Sequence, residues 1–170
     1  MGSGKTVTSR LLASRLGYDF LDLDDWIEKK EGRTISRIFA SEGESGFREL
    51  EQKALYEMGS RERIVIACGG GTPCYSDNME WMNKRGVTVF LNPSMRVLTE
   101  RLLSGQDHRP LIRGLDREGL FSFIESRLKE RMPYYTQARL QLVGVHDQEM
   151  VISSIVEALK TEISLPEGKG

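Results

Sequence analysis

Cysteine, histidine and proline are scarce: two Cys, two His and five Pro in 170 residues. The two thiols, Cys68 and Cys74, make neither a disulfide framework nor a four-ligand zinc set. An excess of one charge is also missing. With 24 Lys+Arg against 25 Asp+Glu the net charge is −1, which removes the basic footprint of a nucleic-acid binder. No apolar run approaches the ~18 residues of a membrane span, and the first residues lack a signal-peptide core. What remains is an ordinary globular composition, 39% hydrophobic with mean hydropathy −0.38. It predicts one compact domain over residues 1–163 with a frayed tail at 164–170, in a reduced, cytoplasmic, soluble enzyme or binding protein.

Helical and strand patterns alternate along the chain. Val7, Leu11, Leu12 and Leu16 recur at helix spacing and end at Gly17, where a C′ glycine belongs. Tyr18–Asp22 reads as a short strand ending in acids. Ile27 to about Met58 is helical, broken around the glycines of 42–46. Ile64–Cys68 is a continuous apolar run that stops at Gly69-Gly70-Gly71, as a buried parallel strand does. Further helices are predicted over 76–84, 95–103, 117–132 (ending near Pro133) and 151–163, with strands over 87–91 and 140–143. This alternation predicts an α/β fold with a parallel sheet. Residues 104–116 are polar, basic and aperiodic, and read as a lid.

Four groups of residues carry chemistry. Gly2-Ser3-Gly4-Lys5-Thr6 is the last part of the phosphate-loop pattern G-x-x-x-x-G-K-[ST], so the chain begins inside the loop. There, backbone N–H groups and a helix N-terminus meet phosphate oxygens, Lys5 reaches the β- and γ-phosphates, and the Thr6 hydroxyl ligates Mg²⁺. Asp22-Leu23-Asp24-Asp25 closes a strand at the edge where ligands sit in such sheets. Asp22 and Asp24, two apart, turn one carboxylate toward a metal and one toward a substrate hydroxyl, while Asp25 is assigned to capping the next helix, expected from Trp26. Gly69-Gly70-Gly71 allows close approach of a ligand to the backbone. Arg48, Arg101, Arg109, Arg113 and Arg131 supply forks for carboxylate or phosphate, set against the plain reading of each as a solvated surface charge.

Taken in order, Gly2–Thr6, Asp22-Leu23-Asp24, Gly46-Phe47-Arg48-Glu49-Leu50-Glu51, Gly69–Gly71, Arg109-Pro110-Leu111 and Arg131-Met132-Pro133-Tyr134-Tyr135 resemble the shikimate kinase family of nucleoside-monophosphate-kinase-like P-loop proteins, over residues 1 to about 145. The resemblance implies a three-layer parallel sheet of P-loop kinase type with helices on both faces and a mobile lid over about 104–116. It implies ATP and Mg²⁺ as cofactors, shikimate as the second substrate, phosphorylation of its 3-hydroxyl on the way to the aromatic amino acids, and a monomer. By the same carry-over, Gly2, Ser3, Gly4, Lys5 and Thr6 bind the nucleotide, Thr6 and Asp22 the metal. Asp24 contacts the shikimate hydroxyls and acts as base. Arg48 and Arg131 bind its carboxylate, and Gly69, Gly70 and Gly71 line its pocket. Arg109 approaches the transferring phosphate, and Arg101 lies near adenine.

The family also has a strand and a further glycine ahead of the position of Met1, and that strand lies inside the sheet. Its loss would expose two sheet edges, so the expectation is either that those residues lie outside the sequence as given or that the protein is altered and weakly active. Two other classes stay open: a kinase of a different small alcohol such as gluconate, and a non-catalytic relative that binds nucleotide or a partner.

Overall fold

The computed structural model describes residues 2–104, 112–144 and 147–164. The chain divides into two compact units, one of Lys5–Gly86 and one of Met1–Gly4 with Val87–Gly170. The first contains α1 (Lys5–Leu16), β1 (Asp19–Asp22), α2 (Leu23–Glu31), α3 (Ile35–Glu57), β2 (Ile64–Ala67) and α4 (Asn78–Arg85). The second contains β3 (Val89–Asn92), α5 (Met95–Leu103), α6 (Arg117–Tyr135), β4 (Leu140–Val143) and α7 (Gln148–Ser164). As the alternation predicts, the fold is α/β and its strands are parallel. β1 pairs with β2 from Asp19 opposite Ile64 to Asp22 opposite Ala67. β3 pairs with β4 from Val89 opposite Leu140 to Asn92 opposite Val143. Among the described residues each unit thus holds a sheet of two strands.

Local sequence explains where the elements of the first unit stop. Gly17 ends α1 at φ 65°, and Tyr18 N–H returns to the Ala13 carbonyl at 2.9 Å, the wide bond of a Schellman close. Gly32 ends α2 in the same left-handed conformation. Thr34 caps α3 by accepting from Arg37 N–H. The predicted break in the long helical stretch falls at Gly43, whose φ of 70° and ψ of −172° kink α3, a conformation costly for any residue with a Cβ.

Three expectations are corrected. α2 begins at Leu23, and its N-cap is Asp22, whose carboxylate accepts from Asp24 N–H; Asp25 is a first-turn residue instead, and Asp24 sits on a helix and not on the strand. An N-cap carboxylate satisfies an otherwise orphaned N–H and faces the positive end of the helix, so the earlier aspartate takes the position. α6 does not end near Pro133 but runs through it to Tyr135. In the last turn the missing proline N–H removes only one bond, and Thr136 N–H closes the helix on the Met132 carbonyl at 3.0 Å. On α1 the inward residues are Thr8, Leu12 and Ala13, whereas Val7 and Leu11 stay 56% and 43% exposed.

Each unit has its own apolar core. Leu21, Leu23, Ile27, Ile38, Phe47, Ala54, Leu55 and Met58 close one, with Ile64 and Ile66 of β2 packed against it. Leu98 and Leu102 of α5, Ile112, and Leu120 and Ile124 of α6 close the other. Full burial of each Leu or Ile contributes about 1.5–3 kcal/mol. The first core underlies both Asp22 and Arg48, because Leu21 and Leu23 flank the aspartate and Phe47 precedes the arginine. Of the lid segment, Arg109, Pro110 and Leu111 lie outside the described residues, as does the tail from 165.

Candidate active site

The strand β1 delivers Asp22 to the start of two helices at once. Its Oδ2 accepts from the Thr6 hydroxyl at 2.9 Å and lies 3.9 Å from Lys5 Nζ. Its Oδ1 accepts from Asp24 N–H at 3.1 Å. One largely buried carboxylate therefore ties the Gly-Lys-Thr turn to the first turn of α2. Lys5 and Thr6 are the first two residues of α1, where unpaired N–H groups and the helix dipole favour anions.

Asp24, the second residue of α2, lies beside the glycine loop: its Oδ1 is 3.6 Å from where a Cβ on Gly69 would stand. Burial holds its carboxyl above the usual carboxylate range. The Lys5 and Arg48 charges pull down against that shift, while Asp22 and Glu51 add to it. A carboxylate with raised proton affinity next to two cations is suited to taking a proton from an alcohol.

Arg48 is fixed by α3. Its Nη1 donates to Glu51 Oε2 at 2.7 Å and its Nη2 to Glu44 Oε1 at 3.2 Å, one turn on either side. Glu51 is fully buried, and its second oxygen accepts from the Thr72 hydroxyl at 2.6 Å. The glycines of the loop after β2 owe their identity to these side chains. A Cβ on Gly69 would come 2.9 Å from Glu51 Oε1, and a Cβ on Gly71 would fall on the Arg48 guanidinium, 2.6 Å from Nη1. Real Cβ atoms do not approach so closely, so the close approach read from the sequence is made first by the protein's own arginine and glutamate. Gly70 contributes its carbonyl, which accepts from the Cys74 thiol.

Cys68 directly follows this strand, and burial pushes its thiol up to about 12, with Glu51 adding in the same direction. Since only the thiolate is nucleophilic, Cys68 is expected to resist iodoacetamide in the folded protein at pH 8 and to react fully after denaturation, read by peptide mass. Rapid native alkylation at this position would contradict the assignment.

In the other unit, Arg101 on α5 donates to the carbonyls of Gly2 at 3.4 Å and Ser3 at 3.3 Å. Arg131 lies on α6, partly buried. Of the residues singled out from the sequence, the structure thus brings together Lys5, Thr6, Asp22, Asp24, Arg48, Gly69 and Gly71. It adds Glu51 and Thr72, which pattern reading gave no role. Glu51 stood in the Gly46–Glu51 motif, three residues after Arg48 and so on the same helix face, which was the signal available. A groove of about 550 Å³ along Glu49, Gln52, Lys53, Tyr56 and Glu57 contains none of these groups, so the placement of charge and not that cavity locates the site.

A Gly-Lys-Thr turn opening a helix, an aspartate bonded to its threonine, and a half-buried acid near a fixed arginine define a P-loop phosphotransferase of a small alcohol. A profile of the family described as shikimate kinase matches residues 1–160. The shikimate kinase of Phocaeicola vulgatus is 43% identical over 165 residues, 96% of this chain and 94% of its own. That of Bacteroides thetaiotaomicron is 45% identical over 139 residues, 82% of this chain and 79% of its own. The crystal structure of shikimate kinase from Bacteroides thetaiotaomicron matches with a TM-score of 0.85 at 41% identity, over 97% of this chain and 94% of that one. Shikimate kinase from Acinetobacter baumannii, solved in complex with shikimate, gives 0.85 at 33% identity, over 97% and 91%. The chain belongs to the shikimate kinase family, and with it to the ATP-dependent kinases of P-loop fold.

Proposed function

We propose that this chain transfers the γ-phosphoryl group of ATP to the 3-hydroxyl of shikimate, giving shikimate 3-phosphate and ADP, and that residues 1–163 act as one catalytic domain. The observation that carries the reading is Asp24, a half-buried carboxylate whose charge is opposed by Lys5 and by an arginine held in place. A small anionic polyol needs both: an acid for its hydroxyls and an arginine for its carboxylate. Gluconate shares the hydroxyls and the charge but is a flexible open chain, whereas a half-buried, pre-set arginine suits a rigid ring.

In this reading Gly2, Ser3, Gly4 and Lys5 bind the phosphates, and Asp22 holds Lys5 and Thr6 in register. Asp24 orients the 3-hydroxyl and accepts its proton as the oxygen attacks the γ-phosphorus. The bond from that phosphorus to the bridging oxygen breaks, and ADP leaves. Arg48 and Arg131 bind the shikimate carboxylate, and Gly69, Gly70 and Gly71 line the pocket. Arg109 neutralises charge on the transferring group, and Arg101, beside the loop carbonyls, lies on the nucleotide side. The protein's work is positioning and electrostatics, as phosphoryl transfer requires.

Mg²⁺ fits the donors available. Thr6 Oγ1 and Asp22 Oδ2 are hard oxygens 2.9 Å apart. Among the described residues no group of three His, Cys, Asp or Glu side chains forms a cage of its own, which suits a cation that completes its shell with phosphate oxygens and water. When bound it supplies neutralisation of charge on the β- and γ-phosphates. Chelation with EDTA is expected to abolish turnover and excess Mg²⁺ to restore it; turnover that survives chelation removes the metal from the reading.

The deciding assay is Mg²⁺-dependent ADP release with shikimate, with gluconate and with neither. Release that needs shikimate supports the proposal. Release with gluconate alone replaces the substrate, and none with any of them points to a binding relative. Gly71→Ala offers a sharper check. Its Cβ would displace the Arg48 guanidinium, so the shikimate KM is expected to rise about tenfold with the ATP KM little changed. We further read the protein as a cytoplasmic monomer. No helix of the described residues is long and apolar enough to cross a membrane. Elution at the 19.3 kDa of one chain tests the monomer, and elution at twice that mass rejects it.

A further inference from the structure

We infer that Thr72 is a positioning residue for substrate recognition: through the buried carboxylate of Glu51 its hydroxyl sets the orientation of the Arg48 fork. This rests on the reading of Arg48 as the partner of the shikimate carboxylate.

The two oxygens of Glu51 are divided between two donors. Oε2 takes Arg48 Nη1 at 2.7 Å, and Oε1 takes Thr72 Oγ1 at 2.6 Å. A carboxylate held at one oxygen rotates about its last torsion; one held at both has a fixed plane, and the guanidinium bonded to it inherits that plane. Thr72 can serve as the fixed end because its own backbone is pinned. Its N–H donates to the Gly69 carbonyl at 3.2 Å, and its carbonyl accepts from Asn78 Nδ2 at 2.8 Å. Thr72, Asn78 and Glu51 are all fully buried, so water does not replace a lost bond cheaply.

The other side of the fork is different in kind. Arg48 Nη2 meets Glu44, whose side chain is 70% exposed, so that contact exchanges with solvent and with an incoming anion. The arginine thus has one rigid face, set by Thr72 through Glu51, and one replaceable face. Gly69 and Gly71 leave the room the arrangement needs: a Cβ at the first would meet Glu51 and Thr72 oxygens, at the second the guanidinium itself. The Thr72 hydroxyl reaches the Arg48 fork only by way of Glu51, so its effect on the arginine passes through an intervening side chain.

The test compares Thr72→Val, which keeps the shape and loses the hydroxyl, with Thr72→Ser, which keeps the hydroxyl. The Val variant is expected to raise the shikimate KM about tenfold, with the ATP KM unchanged, and the Ser variant to restore it. Equal rises in both constants, a Ser variant as impaired as Val, or a Val variant that does not fold would each make the hydroxyl merely structural and overturn the inference. Arg48→Gln separates this from the reading beneath it. An unchanged shikimate KM in Arg48→Gln withdraws Arg48 as the carboxylate partner. A raised one there, with normal constants in Thr72→Val, overturns the role of Thr72 alone.

Discussion

Asp24→Asn is expected to lower turnover by a factor of about 10²–10⁴ while the protein folds normally. Asparagine keeps the shape and can still accept a hydrogen bond from the hydroxyl, but it cannot carry the proton away. The same substitution is expected to raise the thermal midpoint at neutral pH. Burial raises the Asp24 pKa above its ordinary 3.8, so the folded protein binds this proton more tightly than the unfolded chain does. The ionised group then costs stability, and the cost grows as pH rises from 3.8 and is complete above the raised value. The advantage of the Asn variant is therefore gone below 3.8 and full only once the pH exceeds the raised value. For the wild-type enzyme the sign is opposite in activity: kcat is expected to fall as acid protonates Asp24, along a limb placed above the ordinary aspartate range. Near-normal turnover in Asp24→Asn removes it as base, and a lower midpoint at pH 7.5 removes the claim of a burial cost.

Glu51→Ala is expected to cost about 3–5 kcal/mol of stability, because it leaves a partly buried guanidinium and a buried hydroxyl without their shared partner. For a chain of this length that is a fall of about 10 °C in Tm. Glu51→Gln, which keeps the volume and an oxygen, is expected to lose less. In both variants the shikimate KM is expected to rise with loss of the fixed Arg48. Melting curves and KM values on the same preparations separate the two effects. An unchanged Tm in Glu51→Ala would show that the pair with Arg48 and Thr72 carries no stability.

The contrast between these two residues explains how far the sequence could be read. Asp24 was visible because its role is local. It follows a strand, neighbours Asp22, and belongs to a short motif whose spacing is set by the backbone itself. The same is true of Gly4-Lys5-Thr6 at a helix start, of Gly17 and Gly32 at helix ends, and of the kink at Gly43. Each answers to sterics within a few residues, and sequence periodicity encodes such rules directly. The parallel α/β class was legible for a related reason: alternating periods near 3.6 and 2 leave few ways to bury both kinds of face.

What the sequence misjudged depended on long-range choice. Either Asp22 or Asp25 satisfies the general rule for a cap, and the helix start at Leu23 decided between them, since Leu23 and Ile27 had to enter the core together. The three glycines after β2 looked like room for a ligand. The structure gives two of them to Arg48 and Glu51, side chains 18 to 23 residues away that no local pattern connects to them. Glu51 itself read as one more charge on a helix rich in charges, and only burial separates it from Glu49 beside it. By itself, then, the sequence determined the class of fold, the Gly-Lys-Thr start of α1 and the acids at the end of β1, because those are written in adjacent residues. The tertiary structure alone decided which arginine is rigid, which glutamate is buried and which threonine aims them, because desolvation and hydrogen-bond geometry exist only once distant segments meet.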